Sequence, residues 1–134
     1  MNKVILKIPY PPNSKQKAKW AREYGFNAYY SGKHWAKRKK DADYWHTLTR
    51  CAIYELAKKG GVPLFDKPVQ IKFYWDDGLD LDNHAAMRKM IIDGLKDKII
   101  IDDTRKYIAF ISDSWHDENC IMVEISEHCA DSQQ

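Results

Sequence analysis

The chain has 134 residues, the size of one domain, and its hydrophobic content of 44% is too high for a disordered polypeptide. No apolar run approaches the roughly 20 residues of a membrane span, and the short N-terminal apolar stretch contains a lysine, which argues against a secretory signal. The three cysteines are an odd number and do not predict a disulfide framework, so we expect a cytoplasmic protein with no membrane contact.

The first part of the chain predicts one strand and one long helix. The stretch "VILKI" (Val4 to Ile8) alternates weakly and is rich in β-branched residues, so it predicts a strand that the prolines of "PYPP" end. Residues 14–33 are basic and aromatic, and we interpret them as a short helix and a loop. Residues 34–59 repeat apolar side chains at spacings of three, four and seven, which predicts an amphipathic helix that ends at Gly60.

The second part of the chain predicts a strand and a helix followed by two strands. Residues 68–75 alternate strictly between apolar and polar side chains and form the clearest strand. Residues 83–96 have apolar side chains at helical spacing. The stretches "KYIAFIS" and "NCIMVEIS" predict two further strands, which the polar turn between them would join as a hairpin.

Together these elements predict one α/β domain of the α+β type over residues 1–126, with a mixed, mostly antiparallel sheet and two main helices. Residues 127–134 are expected to form a flexible tail. The formal net charge of +3 conceals an asymmetry, because residues 1–59 have a balance of +10 and residues 60–134 a balance of −7. This pattern favours a polyanion-binding face beside a cation-binding site, or a mixed surface that serves only solubility.

Four aspartates flank the second helix, Asp80 and Asp82 before it and Asp102 and Asp103 after it. If the preceding strand continues, Asp80 and Asp82 point the same way, and if the segment is a loop, Asp82 is a candidate N-cap. Clustered carboxylates repel one another unless a cation joins them, and hard oxygen ligands suit Mg²⁺ or Mn²⁺. The pattern therefore predicts a metal site, with a solvated turn as the alternative.

Lys89 lies inside the predicted helix, seven residues after Asp82. In an α-helix, seven steps return a side chain to within roughly 20° of its starting direction, so Lys89 is expected on the acidic side. There it either neutralises the carboxylates or stabilises the charge of a phosphoryl transition state. His84 adjoins the acidic motif, and we interpret it as a helix-face or cap-adjacent histidine.

The joined pattern "DLDN…K…DGL…IIIDD", with an early strand and the turn "PYPPNSK", resembles the RusA family of Holliday junction resolvases, small enzymes common on phages and prophages. The resemblance covers residues 3–126 in layout and matches specific residues in the proline turn and from Asp80 to Asp103. It implies a RusA-like fold and a role in DNA recombination and repair. It further implies Mg²⁺-dependent hydrolysis of phosphodiesters, by a symmetric homodimer, on branched DNA with four arms.

Carried over by position, the family's aspartates fall on Asp80, Asp82 and Asp103, and its asparagine falls on Asn83. The resemblance therefore implies that these three aspartates are catalytic and hold the metal together with Asp102. A symmetric dimer suits this activity, because a four-way junction needs two matched nicks and an isologous dimer presents two identical sites.

The family's catalytic lysine falls on Lys89 when it is aligned by its four-residue distance to the following aspartate, here Asp93. In the shorter form of the motif that lysine comes four residues after the second aspartate, where this chain has Ala86. The chain thus has about three extra residues at the start of the helix, by comparison with that form.

The basic first half is expected to contact DNA phosphates. The residues expected to do so are Lys15, Lys17, Lys19, Arg22, Lys33, Lys37, Arg38, Lys39 and Lys40. Tyr29, Tyr30 or Trp35 are candidates for stacking on unpaired bases, although Trp35 also fits the apolar stripe of its helix and is expected in the core. Two other functions are compatible with the sequence: a non-catalytic protein that binds branched DNA, and a metal nuclease specific for flaps or single strands.

Overall fold

The computed structural model describes residues 3–129, which form a four-stranded sheet with helices on one face. The strands are β1 (Lys3–Pro9), β2 (Val69–Trp75), β3 (Ile108–Trp115) and β4 (Cys120–Glu127). The helices are α1 (Ser14–Tyr24), α2 (Phe26–Tyr30), α3 (Trp35–Ala57) and α4 (Ala85–Leu95), and a 3-10 turn (Leu81–His84) precedes α4. The α+β class is confirmed, but three helices rather than two have at least 11 residues.

The sheet has the strand order β1-β4-β2-β3, and this order contradicts the predicted hairpin. β4 is antiparallel to both β1 and β2, whereas β2 and β3 are parallel, with Trp75 opposite Trp115. β2 therefore lies between the two strands that were expected to pair. β2 buries four large apolar side chains and suits the centre of the sheet, whereas the polar end of β3 suits an edge.

The hydrophobic core lies between the helices and one face of the sheet. Alternate residues of β1, β2 and β4 point into it, which is the period of a strand with one buried face. The buried residues of these strands are Val4, Leu6, Ile8, Val69, Ile71, Phe73, Trp75, Ile121, Val123 and Ile125. Each contributes roughly 1.5–3 kcal/mol relative to an exposed side chain, so the strands anchor the loops at their ends firmly.

α3 crosses α4 closely, because Gly94 of α4 faces Thr49 of α3. A Cβ atom on Gly94 would lie 2.9 Å from the Thr49 Cβ atom, so no larger residue fits without a shift of the helices. α3 buries Trp45, Thr49 and Ile53 at a spacing of four. The expectation that Trp35 packs in this stripe is wrong: Trp35 is 72% exposed, because it is the first residue of α3 and precedes the buried stripe.

The C-terminal boundary lies slightly beyond the predicted one. Glu127, which was predicted to begin the tail, is the last residue of β4, and the His128 N–H donates to the Pro68 carbonyl at 2.8 Å. Residues 130–134 of the predicted tail lie outside the described residues. Among the helices within residues 3–129, none is both long enough and apolar enough to cross a bilayer.

Candidate functional site

Asp80 and Asp82 lie in the turn between β2 and α4. The Asp80 carbonyl accepts a hydrogen bond from the Asn83 N–H at 3.0 Å, which starts the 3-10 turn. Both carboxylates are exposed, and neither pairs with another side chain within residues 3–129. The alternative that Asp82 caps α4 is wrong, because His84 occupies the N-cap position and makes no capping bond with its side chain.

A buried ion pair between Asp77 and His84 joins the two ends of this turn. The His84 Nε2–H donates to the two Asp77 carboxylate oxygens at 2.8 and 2.9 Å, and the Nδ1–H donates to the Leu81 carbonyl at 3.0 Å. The side chains of His84 and Asp77 are both completely buried. Because both ring nitrogens face groups that only accept, the imidazolium form satisfies them. His84 is thus cap-adjacent, as expected, and its contact with Asp77 also ties together the two ends of the segment that contains Asp80 and Asp82.

Tyr10, which directly follows β1, completes the buried network. Its hydroxyl donates to Asp77 Oδ2 at 2.7 Å and accepts from the Asp76 N–H at 2.9 Å. Burial raises the pKa of Asp77, but the hydrogen bonds from His84 and Tyr10 outweigh it and hold the pKa below its ordinary value. Burial also raises the pKa of Tyr10, which therefore stays a neutral donor. The proline turn after β1, noted in the sequence, thus supports the acidic turn through Tyr10.

Nothing in the sequence pointed to this network. Asp77 belongs to a stretch that has the composition of an ordinary turn, and Tyr10 is distant from it along the chain. The one available signal was the position of His84 beside the motif. The His84 ring also stacks on Trp75, with a distance of 4.1 Å between ring centres, so the end of β2 fixes it in place.

The second acidic pair lies at the other end of α4, around Lys96. Lys96 Nζ is 3.1 Å from Asp103 Oδ2, 3.3 Å from Asp93 Oδ1 and 4.0 Å from Asp102 Oδ1. The hydrogen bond from Lys96 lowers the pKa of Asp103, and the same bond raises the pKa of Lys96. Lys96 was not among the site residues predicted from the sequence. Its ammonium group supplies the positive charge that the carboxylates were expected to obtain from a metal.

The two acidic pairs do not form one group of metal ligands within residues 3–129. α4 has 11 residues and is therefore about 16 Å long. Asp80 and Asp82 precede it, whereas Asp102 and Asp103 contact Lys96 at its end. Within residues 3–129, no three His, Cys, Asp or Glu side chains are grouped so that they could hold a metal ion. The four predicted ligands therefore do not fit one metal centre, and only Asp80 and Asp82 present carboxylates without a neighbouring cation.

Lys89 lies between the two acidic pairs and is largely exposed. Its side chain is 74% exposed, and Nζ is 3.7 Å from Asp93 Oδ2. The predicted alignment with Asp82 assumed one continuous α-helix, but the 3-10 turn has fewer residues per turn and changes the angle. Lys89 and Asp103 do border one cleft of about 380 Å³ between α4 and β3, so two of the predicted catalytic residues share a surface.

The basic residues of the first half line a groove of about 1090 Å³ among α1, α2 and α3. Its walls include Lys19, Arg22, Lys37 and Lys40. Six of the nine predicted DNA contacts are exposed or partly exposed side chains with no ion pair inside the described chain. These are Lys15, Lys19, Arg22, Lys37, Lys39 and Lys40.

The other three predicted DNA contacts bind within the protein. Lys33 is 10% exposed, pairs with Asp41 and donates to the Glu23 carbonyl at 2.9 Å. Arg38 donates to the Tyr29 carbonyl at 3.1 Å. Lys17 donates to Asn119 Oδ1 at 3.0 Å. The Lys33 and Arg38 contacts hold the α1–α3 region together, and the Lys17 contact joins α1 to the turn before β4.

The acidic turn is docked directly on the basic helices. Asn83 Oδ1 accepts from the backbone N–H of Asn27 in α2 at 3.1 Å. Gly25, between α1 and α2, makes this approach possible, since a Cβ there would lie 3.2 Å from Leu79 and 3.4 Å from the Asn83 amide. Asn83 therefore has a structural role, which holds the turn that carries Asp80 and Asp82 against α2, one of the helices that border the basic groove.

Comparison of the chain with protein-family models and with curated proteins gave no significant match.

Proposed function

We propose that the chain is an endodeoxyribonuclease of the RusA type that cuts four-way DNA junctions in the cytoplasm, as a homodimer with Mg²⁺ as its cofactor. The observation that carries the proposal is the Asn83–Asn27 hydrogen bond, which holds the acidic turn against α2, a helix that borders the basic groove. DNA whose phosphates lie on the groove would pass close to Asp80 and Asp82. The order of the aspartate motif and of the strands around it supports the same family.

The expected cofactor has two protein ligands in this arrangement. Mg²⁺ is commonly held by one or two carboxylates together with water and the phosphate oxygens of a substrate. Asp80 and Asp82 are exposed and suit that role. Asp102 and Asp103 share Lys96 and are less suited to it. When bound, the metal would polarise the phosphate and activate water.

The exposed cations of the first half of the chain, four of which line the groove, supply binding to DNA that does not depend on sequence. Each phosphate contact releases counterions, so the logarithm of the binding constant falls with the logarithm of salt concentration by about 0.9 per contact. If the six exposed cations all contact phosphates, we expect a slope of about −5. Measurement of this slope tests the groove without any need for cleavage.

The two edges of the sheet differ in a way that supports a dimer. β1 carries Lys3, Lys7 and Pro9, which discourage pairing with another strand. β3 exposes Phe110, Ile111 and Trp115 and has Asp113 as its one charged residue. Its edge therefore lacks the usual protection, and pairing of β3 with β3 of a second copy would give the two-fold symmetry that a junction needs.

The decisive experiment incubates the protein with a labelled four-way junction in Mg²⁺ and in EDTA, with flap, single-stranded and duplex DNA in parallel. We expect cleavage of the junction that requires Mg²⁺ and is lost in Asp82→Asn. Glu55→Gln is the control, since Glu55 is an exposed carboxylate on α3 that lies near β1, at the edge of the sheet opposite β3. Absence of cleavage of every substrate would reject the nuclease, and faster cutting of flaps or single strands would favour that other class of nuclease.

A second candidate, a protein that binds branched DNA without cutting it, is favoured by the absence, within residues 3–129, of a group of three His, Cys, Asp or Glu side chains able to hold a metal ion. Such a protein keeps the basic groove but lacks a complete metal centre. It would bind junctions equally well in Mg²⁺ and in EDTA, and Asp82→Asn would not weaken binding. The same set of substrates therefore separates the two candidates.

A further inference from the structure

Two aromatic side chains stand exposed beside the basic groove. Tyr30 is 73% exposed and Trp35 is 72% exposed, the highest values among the large apolar and aromatic residues within 3–129. Tyr30 ends α2 and Trp35 begins α3, so four residues separate them in sequence. Large rings left in water at a connection between helices commonly mark a binding surface.

The connection between the two rings is held firmly, although it lies at the surface. Lys33, in the middle of it, is almost buried and is fixed by Asp41 and by the Glu23 carbonyl. The His34 ring stacks on the Trp35 ring at 5.7 Å between centres, and His34 Nδ1 accepts from the Ala36 N–H at 3.1 Å. The rings are therefore presented by an ordered segment, which lowers the entropy lost on binding.

Tyr29, the third aromatic candidate from the sequence, does not belong to this surface. Its hydroxyl donates to the Asp41 carboxylate, and its ring lies 5.0 Å from Lys33 Nζ. It is thus part of the internal network that supports the segment. Phe26 is 43% exposed and packs edge-on against Tyr30 at 5.9 Å between ring centres, which supports the Tyr30 ring from behind.

The positive charge around the Tyr30 and Trp35 rings indicates which kind of ligand this surface binds. Lys37, Lys39 and Lys40 follow Trp35 on α3, and Lys37 and Lys40 line the groove. The nearby acid Asp41 is neutralised by Lys33. Proteins that bind single strands combine such a cationic track with exposed aromatic rings, because the bases stack on the rings while phosphates follow the cations. The bases of an intact duplex stack on one another and present no free faces.

We propose that Tyr30 and Trp35 form a stacking platform for unpaired DNA bases, with the phosphates of the same strand on Lys37 and Lys40. The platform rests on the proposed function, since it takes DNA as the substrate, and it assigns to the α2–α3 segment the unpaired bases of a branch point. It predicts that the protein prefers single-stranded or branched DNA to duplex DNA even where no cleavage occurs.

The test is a fluorescence titration of the whole chain in EDTA with a thymine oligonucleotide and with a duplex of equal length. We expect Trp35→Ala to weaken binding to the single strand roughly 5- to 150-fold, the range for one stacked base, and binding to the duplex much less. Trp35→Phe should restore most of the affinity. Tyr54→Ala is the matched control, because Tyr54 is 64% exposed on the far part of α3, and it should leave binding unchanged.

The dependence of the binding affinity on salt concentration distinguishes base stacking from phosphate contacts. Trp35→Ala should lower the affinity without changing the slope against salt, whereas Lys40→Ala should reduce the slope by about 1. Wild-type affinity of Trp35→Ala for the single strand would overturn the platform and leave a protein partner as the occupant of the rings. A chain that cuts no DNA but loses single-strand binding in Trp35→Ala would reject the nuclease and retain the platform.

Discussion

The two ends of α4 carry the same kind of side chain in opposite electrostatic states. At its start, the exposed Asp80 and Asp82 lie above a buried Asp77–His84 ion pair. At its end, Asp103 and its neighbours share the Lys96 ammonium group. At the start of α4, the partner of the buried Asp77 is His84, so the carboxylates of Asp80 and Asp82 remain available to a ligand. At the end of α4, Lys96 already balances the charge of the carboxylates.

This difference shows why a count of carboxylates is a poor guide to a metal site. Four aspartates flank one helix in the sequence, but the location of the nearest positively charged side chain decides which of these aspartates can bind a metal cation. Substitutions at the two ends of α4 should therefore differ in their effects on stability and on activity.

Removal of one partner from the buried pair should have the largest effect. Asp77→Asn removes the buried carboxylate to which both His84 and Tyr10 bond, so we expect the free energy of unfolding to fall by about 3–5 kcal/mol. Denaturant titration measures the change. The comparable substitution at the other end, Asp102→Asn, should cost less than about 1 kcal/mol, because this pair is partly exposed. Similar losses at the two ends would break the contrast.

Substitutions at the two ends of α4 should also differ in their effect on DNA cleavage. We expect Asp82→Asn to reduce junction cleavage at least about 100-fold, the scale of losing one electrostatic group at a reacting centre. Asp102→Asn should reduce it much less. If Asp103→Asn abolishes cleavage as fully as Asp82→Asn, then the two ends act together on bound DNA and the resemblance to the family outweighs the geometry of the protein alone.

Acid should destabilise the protein through Asp77. The pKa of this group is lowered on folding, so its contribution is fully present above the unfolded value of about 4 and is lost as the pH falls through the folded value. We therefore expect stability to decline below about pH 4, and the decline to be shallower in Asp77→Asn. Thermal unfolding followed between pH 2 and 7 distinguishes the two curves, and parallel curves would contradict the assignment.

Removal of Lys96 should have the smallest effect on stability and a distinct effect on metal binding. Lys96→Gln removes a partly exposed cation, and we expect a change below about 1 kcal/mol. The remaining carboxylates then repel one another, so Mg²⁺ should raise the melting temperature of Lys96→Gln more than that of the wild type. An equal shift in both proteins would indicate that Lys96 does not take the place of a cation.

Most elements of the fold could be predicted from periodicity, because each is a local pattern. The strand at residues 68–75 and the helix at residues 34–59 correspond to β2 and α3. The partner of a strand is not local information, and so the hairpin prediction was wrong: β2 separates β3 from β4. The short helix α2 could not be predicted as a separate element, because its residues do not differ in pattern from the basic and aromatic residues around it.

The candidate site was predictable only in part. The exposed Asp80 and Asp82 were found from the motif, because adjacent charges are visible in sequence. The Asp77–His84–Tyr10 network was not, since burial converts a turn aspartate and a cap-adjacent histidine into an ion pair only when distant strands meet. Lys96 was missed for a related reason, because the contact depends on where α4 ends.

The pairing of β1 with β4 has a consequence for synthesis. Lys3 pairs with Ser126 and Pro9 with Cys120, so the first described strand finds its neighbour in the sheet only when the last one is made. At translation rates of 5–20 residues per second, the ribosome needs roughly 5–20 seconds to produce the chain between them. Sheet closure with this high contact order is slow. The apolar side of β1 must therefore be shielded by α3 or by a chaperone until β4 emerges.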